Sequence, residues 1–348
     1  MIKEVFFLRV VACLSVVLLH SITSYLDLID FNQKGFLNNL RILLCFGTPM
    51  FIFISELVIS KVYKDGVPKH FLTKRIRYIL IPYTVMGLFY ALQYTYQEED
   101  FLHAFVLQSA KNIFLGDFHG YFILIIMQFY ILHAVLFEFF RRANVKKVLL
   151  IAFIINVIYL AIFNFIPVPD NAIGEYIWLR FSWVPFVGWL FYFCLAYYCG
   201  IYYTEFKEKV IRYKKVIYLI TCLSAFLVVL LNNSGILTLV SSKRVDILIF
   251  TTMSILALYS IFSRMDSVPN LVNLISKYSF SIYLLHVFYI KVFEKIYSYF
   301  TNENSPLIIV VLFIGSIVAS AISAHILNCF WWGKFIVGKL GRDYQIKR

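Results

Sequence analysis

The sequence predicts an all-α polytopic integral membrane protein. The first observation is composition: 61% of the 348 residues are hydrophobic and 15% charged, with mean hydropathy +0.80, whereas soluble domains sit near about 45–50% apolar. The second is that the apolar residues form runs long enough to cross about 30 Å of hydrocarbon. Lipid offers backbone groups no partners, so these runs must be helices. The third is that charge is confined to short segments between the runs. A net charge of +13 suggests nucleic acid at first sight, but this distribution is that of a chain embedded in a lipid bilayer, with no nucleic-acid partner.

The runs fall at about 5–25, 42–61, 76–96, 119–139, 147–166, 183–203, 214–232, 245–262, 278–297 and 306–331, about ten transmembrane helices. Lys and Arg set the orientation. With the N-terminus inside, only Lys34, Arg41, Lys111, Arg180, Lys243, Arg244, Lys291 and Lys295 fall outside. Arg9 lies within the first run, and the other cations are inside. Both termini of this multi-pass chain are therefore expected in the cytoplasm. The basic stretch Ser241–Arg244 is the one weak point. The first run resembles a signal anchor with no cleavage site after it. The chain, 1–348, reads as a single transmembrane domain with no appended soluble domain, and its end, Gly341–Arg348, as a solvated basic tail.

The first run carries Arg9 and His20, eleven positions apart. That is nearly three helical turns, so both point to one face, roughly 16 Å apart along the axis. Arg9 falls near the inner surface and His20 near the outer one. A snorkelling Arg and a helix-end His give the same pattern. In the second run, Pro49 weakens the helix and Glu56 stands at nearly the depth of Arg9, after Ser55. A carboxylate in hydrocarbon marks a functional site and needs a partner; Arg9 is the expected one, in a vestibule pair or a purely structural pair. Lys74, Arg75 and Arg77 enter the third run as a cluster suited to a phosphate-rich head, or equally as a positive-inside anchor.

In the fourth run, His119, Tyr121 and Asp117 gather at the outer mouth, and Gln128 lies inside as an interhelical hydrogen-bonding group rather than a ligand. In the ninth, Ser279-Phe-Ser-Ile-Tyr283-Leu-Leu-His286 places His286 roughly mid-membrane, as a bundle histidine or a catalytic one. The six cysteines lie in apolar segments with no metal or disulfide spacing, so they read as small hydrophobes. No metal motif, phosphate loop or hydrolase elbow is present.

Taken in order, Arg9-x10-His20, Phe51-Ile-Phe-Ile-Ser55, Lys74-Arg-Ile-Arg77 with Ile81-Pro82, and Ser281-Ile-Tyr-Leu-Leu-His286 resemble the membrane acyltransferase family 3 over residues 5 to about 330. Within it the chain is most similar to the intercellular adhesion protein C branch. This closer likeness lies in Phe46-Gly-Thr-Pro49, Arg77–Tyr83 with Met86–Tyr90, Gly120-Tyr-Phe122 with Ile126–Phe129, Gly188–Phe193 and Ile282–His286.

The resemblance implies transfer of an acyl group from a cytoplasmic acyl-coenzyme A, as co-substrate, to hydroxyls of extracytoplasmic poly-β-1,6-N-acetylglucosamine, a biofilm polysaccharide. It implies that His20 is the catalytic imidazole, that Arg9 with Lys74, Arg75 and Arg77 holds the coenzyme phosphates, and that a membrane glycosyltransferase works beside the chain. Glu56 joins the donor site. Ser55, His119, Tyr121, Tyr283 and His286 are candidates for the cavity or acceptor site. No metal is implied.

The chain departs from the family pattern at Glu56, where many members have Gly, at Tyr121, where Trp is usual, and after His286, where Val replaces Pro. Glu56 bears on donor choice, and succinyl is favoured over acetyl. The distal carboxylate of a succinyl group needs a cation, for which Arg41 and Arg180 are the outer-face candidates. The competing expectation is an export channel for the same polymer. A pore needs carboxylates and aromatics along a path, and only Asp27, Asp30, Glu56 and Asp246 offer the acidic part before the ninth run. Export gives the Arg9/His20 spacing no role, which favours the transferase.

Overall fold

The structure, a computed structural model, describes residues 2–29, 35–300 and 305–344. Asp30, Lys34, Lys347 and Arg348, each used above, lie outside the described residues. Among the described residues there is no strand and there are fifteen α-helices: α1 (Lys3–Leu28), α2 (Phe36–Leu44), α3 (Gly47–Val62), α4 (Phe71–Arg75), α5 (Ile81–Thr95), α6 (Phe101–Leu115), α7 (Phe122–Arg142), α8 (Val145–Phe165), α9 (Ala172–Trp183), α10 (Leu190–Ile201), α11 (Tyr203–Arg212), α12 (Lys214–Asn233), α13 (Val245–Phe262), α14 (Asn270–Phe300) and α15 (Leu307–Asn328). Of these, eight stretches are long and apolar enough to cross a membrane; the bent pair Ala172–Trp183 and Phe186–Ile201 makes a ninth when taken as one span.

The difference from ten has a local cause. The third expected run divides at a π turn over Ile76–Leu80, followed by α5. Pro82 has no N–H to give the turn before it, and Ile81 N reaches back to Ile76 O instead. Segments expected as connections are helical. Asp100 caps α6 by accepting from His103 N, and Gly116 ends it in the left-handed region at φ 63°. Asn171 caps α9 by accepting from Gly174 N at 2.7 Å.

The chain forms two compact units. The first comprises Met1–Lys64, Phe191–Ser323 and Gly341–Arg348, and the second Asp65–Leu190 and Ala324–Leu340. In the first unit α1 is the central post, packed on α14, α3, α2 and α13. Its side chains Val5, Leu8 and Ala12 join Met50, Phe53, Ile54 and Leu57 of α3 in one core cluster. Gly47 lets α3 approach α1: a Cβ there would stand 3.0 Å from Ala12 O. Of the α1 span 67% is buried against 22% of α12, whose Leu219, Leu223, Phe226 and Leu230 are exposed. An exposed apolar stripe on a peripheral helix and polar groups on the central one is the arrangement of a bundle whose solvent is lipid.

The first unit corrects two expectations. The tail from Gly341 to Tyr344 is docked rather than solvated. Gly341 N donates to Lys277 O at 2.9 Å, Asp343 pairs with Lys277 at 3.1 Å, and the Tyr344 ring meets Phe6 edge-on at 5.3 Å. The basic stretch before α13 is an internal structural element. Arg244 is fully buried, and its guanidinium donates to both Asp246 oxygens, at 3.1 and 2.6 Å, and to Val228 O.

In the second unit α5 and α6 form a hairpin. Tyr83 OH donates to Asn112 O at 2.5 Å, and Asn112 Nδ2 to Gly87 O at 2.8 Å. The break between α9 and α10, at Val184–Pro185, leaves backbone groups without helical partners. Gln128 of α7 supplies them: its Nε2 donates to Val184 O at 2.9 Å and its Oε1 accepts from Phe186 N at 3.0 Å. Gln128 thus has the bridging role read from the sequence.

Candidate active site

In the first unit α1 and α14 lie side by side and run in the same direction, since their contacts advance together. Arg9 Nη1 donates to Ser276 Oγ at 3.4 Å, and Cys13 Sγ lies 4.0 Å from Ser279 O. The rings of His20 and His286 are 5.2 Å apart, and Ser24 Oγ donates to Glu294 Oε2 at 2.5 Å. Arg9 and His20 therefore do share a face of α1, and that face meets α14. The two imidazoles, expected at different depths, stand together. α14 begins at Asn270 rather than near residue 278, which brings His286 as far into its helix as His20 is into α1.

His286 is fully buried. Its Nδ1 lies 2.8 Å from Tyr283 O and 3.1 Å from Ile282 O. Carbonyl oxygens only accept, so Nδ1 carries the proton and, in the neutral ring, Nε2 carries the lone pair. Tyr283 also brings its ring to 6.1 Å from that imidazole. His20 is half-buried and within electrostatic reach of the Arg41 guanidinium on α2, which also senses Asp27 and Cys45. Glu56 of α3 is buried, and its Oε1 accepts from Ser60 Oγ at 2.6 Å; Ser55 beside it is half-buried. Gly200 of α10 lies against this stretch so closely that a Cβ there would meet Leu57 O at 2.7 Å. At the start of α1, Glu4 is buried with Lys207 Nζ at 3.8 Å.

The second unit holds the other candidates. Arg75 lies over the rings of Phe71 and Tyr130, 4.9 and 5.1 Å from their centroids, while Lys74 and Arg77 are exposed. Tyr78, next in the chain, stacks on Phe335 at 6.2 Å with Lys339 5.4 Å over the Tyr78 ring, and Lys334 lies 5.3 Å over Phe335. His119 packs edge-on to Tyr90 at 4.6 Å, and Tyr121 lies 5.6 Å from Trp183. Gly120 between them has no room for a Cβ, which would fall 2.3 Å from the Phe118 ring. Asp117 pairs with Arg180 at 3.0 Å and accepts from Tyr176 OH at 3.4 Å.

Residues 2–325 match the family model described as an acyltransferase domain. The chain belongs to the acyltransferase 3 family. A Bacillus subtilis (strain 168) protein named "Putative membrane-bound acyltransferase YfiQ" is 41% identical, covering 99% of this chain and 97% of that one. Proteins named "Probable poly-beta-1,6-N-acetyl-D-glucosamine export protein" are also similar. The one from Staphylococcus aureus (strain Mu50 / ATCC 700699) is 30% identical over 97% of this chain and 95% of its own, and the one from Staphylococcus epidermidis 28% over 97% and 94%. No solved structure matches the chain.

For this member of the acyltransferase 3 family, the sequence alone names both imidazoles without bringing them together, and it passes over much of what surrounds them. Ser276 and Ser279 are ordinary small residues of a helix until α14 is laid along α1. Lys334 and Lys339 had been counted only as topology charges, because their place beside Tyr78 depends on a return of the chain. Glu294 and Glu4 had one available signal, a carboxylate at the edge of an apolar run, which went unread.

Proposed function

We propose that the chain is a membrane O-acyltransferase that moves an acyl group, succinyl by preference, from a cytoplasmic acyl-coenzyme A to hydroxyls of extracytoplasmic poly-β-1,6-N-acetylglucosamine. The observation that carries this reading is the His20–His286 pair on parallel helices. A general base needs a neutral ring nitrogen held in one orientation. His286, with Nδ1–H tied to its own helix, offers Nε2 to a neighbouring donor, and an N–H of His20 turned toward it leaves the other nitrogen of His20 for substrate. His20 takes the acceptor hydroxyl's proton as that oxygen attacks the thioester carbonyl. The C–S bond breaks, and the leaving thiolate receives the proton from His20.

In the second unit the Lys74, Arg75 and Arg77 cluster holds coenzyme phosphates from the cytoplasmic side, and in the first unit Arg9 and Glu56 act on the acyl donor. Arg41 is the cation for the distal carboxylate. Its electrostatic reach to His20 supports that choice, and Arg180 is already engaged with Asp117. Both termini lie in the cytoplasm, and a membrane glycosyltransferase supplies the polymer. The names of the staphylococcal relatives favour a second reading, export of the same polysaccharide.

The test is reconstitution of the purified full chain in liposomes with succinyl-coenzyme A, acetyl-coenzyme A and β-1,6-linked N-acetylglucosamine oligomers. The reading expects oligomer esters with free coenzyme A as co-product. Oligomer flux across the bilayer with no ester formed would replace it with export.

A further inference from the structure

Outside the residues assigned so far, the second unit contains a cavity of about 500 Å³ between the end of α5 and α6, with Tyr94, Thr95, Glu98, Leu107, Gln108 and Asp117 in its wall. That volume is typical of small-ligand sites. Its wall is chemically mixed. Tyr94 is 66% exposed. Glu98 and Asp117 supply carboxylates and Gln108 an amide.

These polar groups are held in place. Gln108 Nε2 donates to Asn112 Oδ1 at 2.9 Å, which uses one of its two N–H donors and leaves Oε1 available. Asn112 is itself anchored to Gly87 O. Asp117 is fixed by Arg180 and by Tyr176 OH, and a carboxylate has lone pairs beyond those two contacts.

The lining selects a class of ligand. The Glu98 carboxylate, beside an Asp117 already balanced by Arg180, disfavours phosphates and other anions by like charge. A hydrocarbon tail would bury the polar groups without partners, at a cost of about 1–3 kcal/mol each. A neutral, hydroxyl-rich ring with one apolar face satisfies both constraints. Its C–H face covers the tyrosine ring, and its vicinal hydroxyls donate to planar carboxylate and amide oxygens. We infer that the α5–α6 cavity of the second unit is a saccharide subsite, with Tyr94 as the stacking platform and Glu98, Gln108 and Asp117 as hydrogen-bond partners. It holds a sugar unit of the acceptor chain, and in this it rests on the polysaccharide acceptor proposed above. Of the acidic stretch Gln97-Glu-Glu-Asp100, Glu98 lines the cavity.

The test uses the purified full chain in lipid nanodiscs and a fluorescently labelled β-1,6-linked N-acetylglucosamine oligomer. Wild type, Tyr94→Ala and Glu98→Gln are compared by binding titration. Both substituted rim residues are exposed, so the variants fold, and monodispersity by size exclusion checks this. The inference expects Tyr94→Ala and Glu98→Gln each to weaken binding about tenfold, a typical loss for one stacking or charge-assisted contact. Equal binding by all three proteins overturns the subsite and leaves the acceptor reading intact. Failure of wild type to bind the oligomer overturns the acceptor reading, and the subsite with it.

Discussion

The imidazoles of His20 and His286 lie 5.2 Å apart, centroid to centroid, on two helices that run in the same direction. They come from opposite ends of the chain. Parallel neighbours keep one register over their length, so Arg9 meets Ser276 on the same seam that joins the two rings. The seam runs along a face of α1, 67% of whose span is buried, where polar groups persist only with partners.

In the proposed reaction, His286 acts by positioning His20. His286→Ala is expected to lower kcat for acyl transfer about 10²-fold or more, with KM for the acyl-coenzyme A close to wild type. Steady-state kinetics on reconstituted protein checks this. A rise in KM with kcat preserved assigns His286 to donor binding instead.

In the proposed transferase, Arg41 sets the preference for a dicarboxylic acyl group. Replacing it by Gln removes a charge-assisted contact of about 1.5–3 kcal/mol. Arg41→Gln is expected to lower kcat/KM for succinyl-coenzyme A by about 10–100-fold while sparing acetyl-coenzyme A. Competition between the two donors in one reaction gives the ratio directly.

Arg244 and Asp246 form a buried ion pair. Asp246→Ala leaves a buried guanidinium uncompensated and is expected to cost about 3–5 kcal/mol. Replacing both partners by Leu removes the unpaired charge and is expected to cost less than the single change. Unfolding in detergent, followed for the single and double variants, separates the two.

Gln128 holds the break at Val184–Pro185. Gln128→Leu is expected to destabilise the protein by about 1–2 kcal/mol, the range for interhelical hydrogen bonds in membranes. Protease susceptibility should rise at the break first, and limited proteolysis with mass mapping locates it.

Much of the helical fold was legible because lipid imposes one rule on every spanning segment: apolar outside and internally hydrogen-bonded. The run expected at 5–25 is α1, and the run at 245–262 is α13 to the residue. α6 was hidden because its polar residues, Gln108 and Asn112, fall at the spacing that breaks a hydropathy run while serving the packing against α5. The common face of Arg9 and His20 was legible from helical periodicity. The meeting of His20 with His286 was not, since hydropathy does not say which helices are neighbours or in what register. The charge rule misread Arg244 for a related reason: a cation paired inside the fold does not act as a loop charge.

The central claim is acyl transfer at His20. Cells producing the polysaccharide with wild type or His20→Ala are compared, with membrane levels of the protein matched. Secreted polymer and its O-acyl content are measured in the same samples. The account predicts polymer still secreted and lacking O-acyl groups. Secretion abolished, with acylation of the remaining polymer unchanged, would contradict it and assign the chain to export.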